Sequence, residues 1–115
     1  DIEGSFNQPT EVAVAEDDRT YVLDGANNRV KVFDAHGKLL FSFGKAGREA
    51  AEFDYPVGMD IDEHANIYIA DTGNQRIQIF DRRGKYIRSI DLASMNGRPV
   101  EVKYISVSLT YMRPD

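Results

Sequence analysis

The sequence predicts an all-β protein built from repeated four-stranded antiparallel sheets. Three observations lead to this prediction: a 47-residue repeat, short runs of alternating apolar and polar residues, and turn residues between the runs. The repeat aligns residues 6–43 with residues 53–90 without a gap, and 12 of the 38 paired positions are identical. A period of this length is typical of stacked units that bury their faces against one another.

Each repeat contains four alternating runs, which we interpret as strands. Val12 and Val14 share one side of the first run, and Tyr21 and Leu23 share one side of the second. The third run ends at a tight hairpin over residues 34–37, where glycine can supply a positive φ, and the fourth run follows. The predicted strands are Glu11–Ala15, Thr20–Asp24, Arg29–Asp34 and Lys38–Phe43 in the first unit, and Gly58–Asp62, Asn66–Asp71, Arg76–Asp81 and Lys85–Ile90 in the second.

The third strand of each unit is apolar on both sides. Ile77 and Ile79 oppose Gln78 and Phe80, and the first unit has the same pattern. Such a strand fits a sheet packed between two others better than a sheet with one wet face. Four-stranded sheets packed face to face around an axis are the blades of a β-propeller, and 47 residues suits one blade.

The repeated motif resembles that of the NHL repeat family. The pattern runs F-x-x-P, V-A-V, then Y-V-x-D-x-x-N-x-R-V-x-V-F-D-x-x-G-K, and residues 67–81 match it best. The resemblance covers residues 6–92 and implies a propeller, commonly six-bladed in this family. Family members bind proteins, RNA or small ligands, and relatives with similar propellers include metal-dependent lyases and lactonases.

Residues 1–115 are predicted to form a single partial propeller domain. Blade 1 is placed at about 6–47, blade 2 at about 53–92, and a partial or atypical third unit at about 95–113. These are too few blades to close a ring, which needs about four to eight. Three explanations are open: part of a larger propeller, a ring closed by self-association, or terminal strands that cover the exposed faces. A homo-oligomer or contacts with further blades are the expected partners.

Composition narrows the classes of function. The net charge of −5 disfavours nucleic acid and anionic lipid as partners, and no apolar run approaches the length of a membrane span. The chain has no cysteine, so thiolate metal sites are excluded, and no cofactor or metal is expected. The start at Asp1 without an initiator methionine is compatible with a removed leader or a removed upstream region. The compartment is unknown, with an extracytoplasmic location slightly favoured.

A set of polar residues recurs in both units and could be mistaken for a catalytic site. It comprises an aspartate at a strand end, an asparagine and an arginine: Asp24, Asn27, Arg29 and Asp71, Asn74, Arg76. An arginine can bridge a carboxylate and carbonyls between units. Because an active site is usually single, repetition favours an architectural network over catalysis.

The long segment between the units, residues 44–55, is the better candidate for recognition, since long loops often carry function. We expect a short helical turn over residues 46–53. Lys45, Arg48, Glu49 and Tyr55 are the candidate residues for contacting a ligand or partner. The alternative is that Phe53 and Tyr55 anchor the blade while the charges only solvate the loop.

Three other groups of residues are weaker candidates for a functional site. The stretch containing Asp60, Asp62, Glu63 and Asn66 lacks the spacing of a calcium loop, so an acidic turn is expected. His36 and His64 lie in turns and are expected to face solvent. The basic residues near 82–88 contain one aromatic residue, so protection of a sheet edge is favoured over RNA binding.

The sequence thus favours a noncatalytic module that binds a protein or small ligand. The alternatives are a metal-dependent hydrolase or lyase on the propeller axis and an RNA-binding propeller. The strand directions place the loops after the second strands together with residues 44–55 at one end, and the remaining turns at the other end.

Overall fold

The computed structural model describes residues 11–92, which form two four-stranded antiparallel sheets joined by a connector. All eight predicted strands are confirmed to within two residues at each end. Blade 1 contains β1 (Glu11–Val14), β2 (Thr20–Asp24), β3 (Arg29–Phe33) and β4 (Leu39–Phe43). The connector contains β5 (Lys45–Ala46) and β6 (Glu52–Phe53), and blade 2 contains β7 (Pro56–Ile61), β8 (Ile67–Asp71), β9 (Arg76–Phe80) and β10 (Tyr86–Asp91).

Both blades are simple meanders in which each strand pairs with the next along the chain. Asp34 and Asp81 begin the hairpins before the outermost strands, and each carboxylate accepts hydrogen bonds from the amides two and four residues later. Gly37 and Gly84 complete these turns with φ angles of 82° and 79°. The positive φ expected at Gly37 is confirmed, since a residue with a Cβ atom is disfavoured there.

The main hydrophobic core lies between the two sheets. Strand register places Tyr21, Leu23, Val30 and Val32 on one face of blade 1. These side chains are buried in one cluster with residues of blade 2 and of the connector, namely Phe53, Met59, Ile67, Ile69 and Phe80. The blades therefore pack face to face, as the apolar pattern of the third strands predicts.

Each blade also has an apolar face directed away from this core. On blade 2, Ile77 is buried in a second cluster with Leu92, and Tyr68 and Ile90 pack against it. On blade 1, Val12 pairs in register with Val22 on the face opposite the core, where Val12 and Val14 are exposed. The prediction that both faces of each sheet carry apolar side chains is thus confirmed. Within residues 11–92, the two four-stranded sheets are too few to close a propeller ring.

The connector differs from the expected helical turn over residues 46–53. It forms a short parallel pair, with Lys45 opposite Glu52 and Ala46 opposite Phe53, and a single turn closed by a hydrogen bond from the Glu52 amide to the Glu49 carbonyl. Gly44 has a φ of 102°, and a Cβ there would lie 2.8 Å from the Asn28 carbonyl oxygen. The backbone therefore leaves blade 1 by a close approach that only glycine permits.

The predicted third unit near 95–113 and the Phe6–Pro9 motif lie outside the described residues. Among residues 11–92, no helix is long and apolar enough to cross a membrane.

Candidate functional site at the loop end

The two ends of the blade pair are distinct, as the strand directions predict. At one end, here called the loop end, Asn74 of the β8–β9 loop donates to the Gly47 carbonyl of the connector at 2.9 Å. At the other, the turn end, Arg82 donates to the Asp17 carboxylate at 3.3 Å, which links a turn of blade 2 to a turn of blade 1. The connector therefore belongs to the loop end.

Asp71 is the centre of a buried hydrogen-bond network at the loop end. Its fully buried carboxylate lies at the end of β8. One oxygen, Oδ1, accepts from the Asp54 amide at 2.7 Å. The other, Oδ2, accepts from Asn74 Nδ2, Arg76 Nε and Gln78 Nε2 at 2.9, 2.8 and 3.1 Å. Four donors compensate for the burial of this negative charge.

Arg76 and Gln78 extend the network onto the connector backbone. Arg76 Nη2 donates to the carbonyls of Glu49 and Glu52, both at 2.9 Å. Gln78 donates to the Glu52 carbonyl at 2.7 Å and accepts from the Ala51 amide at 2.9 Å. Blade 2 therefore holds the backbone of residues 49–54 in one conformation.

Blade 1 carries the same set of residues, with fewer contacts to the part of the chain that the structure describes. Asp24 Oδ2 accepts from Asn27 Nδ2 at 2.9 Å and from Arg29 Nε at 3.3 Å. Its Oδ1 is buried and has no hydrogen-bond donor among the described residues. The Arg29 side chain is 39% exposed, against 17% for Arg76. The structure thus brings each Asp–Asn–Arg set together within its own blade.

The four candidate recognition residues lie on the solvent side of the connector. Lys45 and Glu49 are exposed, and Lys45 Nζ lies 3.6 Å from Glu52 Oε2. Arg48 is exposed and makes no side-chain hydrogen bond with another described residue. Tyr55 is 61% exposed. These side chains are therefore accessible, whereas the backbone beneath them is fixed.

Tyr55 occupies an unusual backbone position. Its φ is 55°, in the left-handed region, which an aromatic residue seldom adopts. Two hydrogen bonds fix the preceding residue, Asp54. Its backbone amide donates to the Asp71 carboxylate, and its carbonyl accepts from the Gly73 amide at 2.7 Å. The surrounding hydrogen bonds therefore maintain the strained conformation of Tyr55.

The acidic stretch after β7 is an ordered turn. Asp62 accepts from the amides of His64 and Asn66 and from the side chains of Asn66 and Tyr68. Burial opposes ionisation of Asp62, but these hydrogen bonds outweigh it and lower the pKa of the carboxyl below its ordinary value. His36 and His64 are exposed, as predicted. Within residues 11–92, no three His, Cys, Asp or Glu side chains form a group able to hold a metal ion.

Sequence reasoning missed the role of Gln78. The residue is fully buried on β9 and makes three hydrogen bonds, of which two reach the connector. One feature of the sequence could have indicated this role: Gln78 is a polar residue between Ile77 and Ile79, and the first repeat has Lys31 at this position. A difference between repeats at a buried position indicates a contact specific to one unit.

Two packed four-stranded blades with NHL-type repeats define this chain as a β-propeller module. A model of the 6-bladed beta-propeller family DUF5128 matches residues 3–109, and the chain belongs to that family.

Similar proteins agree with this assignment. Protein brain tumor from Drosophila melanogaster is 35% identical over 54 residues, which are 47% of this chain and 5% of that protein. Virginiamycin B lyase from Staphylococcus aureus is similar in fold, with a TM-score of 0.55 and 17% identity over 70% of this chain and 26% of the lyase. A catalytically inactive form of the lyase with quinupristin gives a TM-score of 0.56. The chain thus spans only a small part of these relatives.

Proposed function

We propose that this chain is a noncatalytic propeller module that binds a protein or a small ligand through the loop end, at Lys45, Arg48, Glu49 and Tyr55. The observation that carries the proposal is the arrangement of the connector. Its backbone is fixed from below by Asp71 and the residues bonded to it, while these four side chains project into solvent.

A fixed loop favours binding because the entropy of ordering it is lost on folding rather than on association. Tyrosine and arginine are also the side chains that most often dominate interface energies. Tyr55 and Arg48 are exposed without a hydrogen-bonding partner among the described residues. Both are therefore available as anchors for a partner.

Comparison of the two repeats supports a recognition role for Tyr55. The aspartate, asparagine and arginine of the network recur in both units, whereas Tyr55 corresponds to Gln8 in the first unit. A residue needed by every blade is expected to recur, so a residue present in one unit fits a role specific to that unit.

The noncatalytic assignment rests on how the repeated polar residues are used. In both blades the aspartate accepts hydrogen bonds from the asparagine and arginine of its own unit. In blade 2 the arginine is further occupied by connector carbonyls. These contacts support an architectural role for the set over a role as acid, base or nucleophile.

The binding surface is expected to continue onto further blades. The exposed Val12 and Val14 lie on the outward face of blade 1, which corresponds to the face of blade 2 buried against blade 1. We propose that this face packs against another blade of the same type, in a larger propeller or in a second copy of the chain.

Selection of binding peptides tests the loop end directly. A phage-displayed library of random peptides is panned on the 115-residue chain, and enriched peptides are synthesised and titrated. For a Tyr55→Ala/Arg48→Ala double variant, we expect at least about thirtyfold weaker binding, the loss typical of removing an interface anchor. A His36→Ala/Lys38→Ala variant at the turn end, outside both proposed binding surfaces, is the matched control and should bind unchanged. Equal binding by both variants would exclude the loop end.

Elemental analysis tests the noncatalytic assignment separately. Purified protein is expected to contain divalent metal far below one ion per chain when measured by mass spectrometry. A stoichiometric metal that survives dialysis would favour the metal-dependent hydrolase or lyase alternative instead.

A further inference from the structure

A second interaction surface lies on the outermost strand of blade 2, away from the loop end. Residues 82–88 carry four cations and no carboxylate, namely Arg82, Arg83, Lys85 and Arg88, although the whole chain has a net charge of −5. A local positive potential on an acidic protein is a feature that favours an oppositely charged partner.

Three of the four cations are specific to blade 2, since Lys85 corresponds to Lys38 in blade 1. At the matching positions of blade 1, Arg82, Arg83 and Arg88 correspond to Ala35, His36 and Phe41. Folding of a blade therefore does not require these three positive charges. One of them, Arg82, contributes to packing of the blades: its guanidinium donates to the Asp17 carboxylate, and its backbone carbonyl accepts from Arg19 Nη1. The side chains of Arg83 and Arg88 make no such contact among the described residues.

The remaining cations are accessible. Arg83, Lys85 and Arg88 are exposed, and none forms an ion pair with another residue in the range 11–92. The neighbouring Asp81 carboxylate accepts hydrogen bonds from the backbone amides of Arg83 and Lys85, which leaves both side chains in solvent. The positive charges are thus held close together on one hairpin and its strand.

The strand that carries these charges also has a free edge. β10 pairs with β9 on one side, and its other side has no partner strand among the described residues. Ile87 is 48% exposed and lies at an irregularity in the pairing, between Tyr86 and Arg88. Like charges along an edge strand disfavour its pairing with a copy of itself. The same charges favour an extended segment of opposite charge.

We propose that the free edge of β10 binds an extended acidic segment of a partner protein by strand addition, with Arg83, Lys85 and Arg88 neutralising its carboxylates and Ile87 contacting its apolar residues. Backbone hydrogen bonds would supply affinity, and the charges would supply specificity. This surface is separate from the loop end, and the proposal does not depend on the function proposed there.

The structure favours a polypeptide over a nucleic acid at this edge. The only aromatic residue in the stretch, Tyr86, packs against Phe80 with ring centroids 6.0 Å apart and hydrogen-bonds to Ser89. Its ring is therefore engaged rather than free to stack on a base. Unpaired backbone groups on a strand match the groups of another extended polypeptide.

The test uses a fluorescent peptide of about ten residues that alternates Glu and Val, a pattern that presents charges and apolar groups on opposite sides of a strand. Fluorescence anisotropy with the 115-residue chain is expected to show saturable binding that weakens as salt is added. Arg83→Glu/Lys85→Glu/Arg88→Glu should weaken binding at least about tenfold, as three lost surface ion pairs would. His36→Glu/Lys38→Glu on the corresponding hairpin of blade 1 is the matched control and should bind unchanged.

Two further measurements decide the mode of binding. The same peptide with alternate amides N-methylated keeps its charges but cannot complete a strand, so it should bind at least about tenfold more weakly. Hydrogen exchange should slow at amides of residues 86–91 when the unmodified peptide is added. Absence of binding, equal binding of the N-methylated peptide, or loss of binding in the control variant would overturn the proposal. Tighter binding of a single-stranded RNA oligonucleotide would also overturn it, in favour of a nucleic-acid partner.

Discussion

Replacing Arg76 by alanine should lower the free energy of unfolding by about 3–5 kcal/mol, the usual cost of leaving a buried charge without its partner. Arg76 makes one 2.8 Å bond to the fully buried Asp71 carboxylate and two 2.9 Å bonds to connector carbonyls. Hydrogen bonds to charged groups contribute about 1.5–3 kcal/mol each, but three bonds from one group are not additive. The expected loss for Arg76→Ala is therefore taken from the cost of breaking a buried ion pair, about 3–5 kcal/mol, and not from a sum over the three bonds.

Arg29 provides the matched control for this experiment. It occupies the same position in blade 1, but within residues 11–92 it makes one bond, of 3.3 Å to Asp24, and is more exposed than Arg76. The longer bond and the greater exposure of Arg29 weaken this pair, so Arg29→Ala should cost less, about 1–2 kcal/mol, even though Asp24 is buried. The difference between the two variants reports the connector contacts of Arg76 together with its shorter, less exposed bond to Asp71.

Urea unfolding followed by tyrosine fluorescence and circular dichroism measures both values, since the chain has six tyrosines and no tryptophan. A small domain has a total stability of about 5–15 kcal/mol, so the Arg76→Ala protein should still fold at low temperature. Equal losses for the two variants, or a loss under about 1 kcal/mol for Arg76→Ala, would refute the idea that this network holds the connector.

Three further changes test other parts of the structure. Gly73→Ala should destabilise the protein by about 1–3 kcal/mol, because a Cβ there would lie 2.5 Å from the Asp54 carbonyl oxygen, and thermal unfolding should show the lowered midpoint. Phe80→Ala should cost about 3–5 kcal/mol in urea unfolding, because this fully buried ring joins the inter-blade core. The pKa of Asp34 is held below its ordinary value of 3.8, chiefly by the hydrogen bond that its carboxylate accepts from the Lys38 amide. The carboxylate therefore stabilises the folded protein at pH values above 3.8, and this stabilisation is lost as the pH falls through the lowered pKa of the folded state. Urea unfolding of Asp34→Asn across this range should therefore show a weaker loss of stability with acid than the parent chain, and identical profiles would contradict the assignment.

The sequence predicts the blades well because their determinants are local. Alternation of Tyr21 with Val22, and the aspartate and glycine that bracket each hairpin, act within a few residues. The register then follows from the turns, as the pairing of Thr20 with Phe33 illustrates. Face-to-face packing follows from the two apolar sides of β3 and β9.

The connector could not be predicted in the same way because its conformation depends on distant residues. Its amides and carbonyls bond to Arg76 and Gln78, which lie more than twenty positions along the chain. Its helix-compatible composition near Ala50 gives no sign of these contacts. The loop-end candidates were predicted from the length and mixed charge of residues 44–55, and Tyr55 is exposed in the structure. The positive φ of Tyr55 follows from the contacts of Asp54 and had no local signal.

The most direct measurement of the central claim, a binding surface on a connector held rigid from below, is amide hydrogen exchange of the connector by nuclear magnetic resonance. The amides of Ala51 and Asp54 donate to the buried side chains of Gln78 and Asp71. We predict exchange slowed on the order of a hundredfold or more, corresponding to an opening cost of about 3 kcal/mol, and loss of this protection in Arg76→Ala. Exchange of these two amides at the rate of an unstructured loop would contradict the claim, because the connector would then be ordered only when a partner binds.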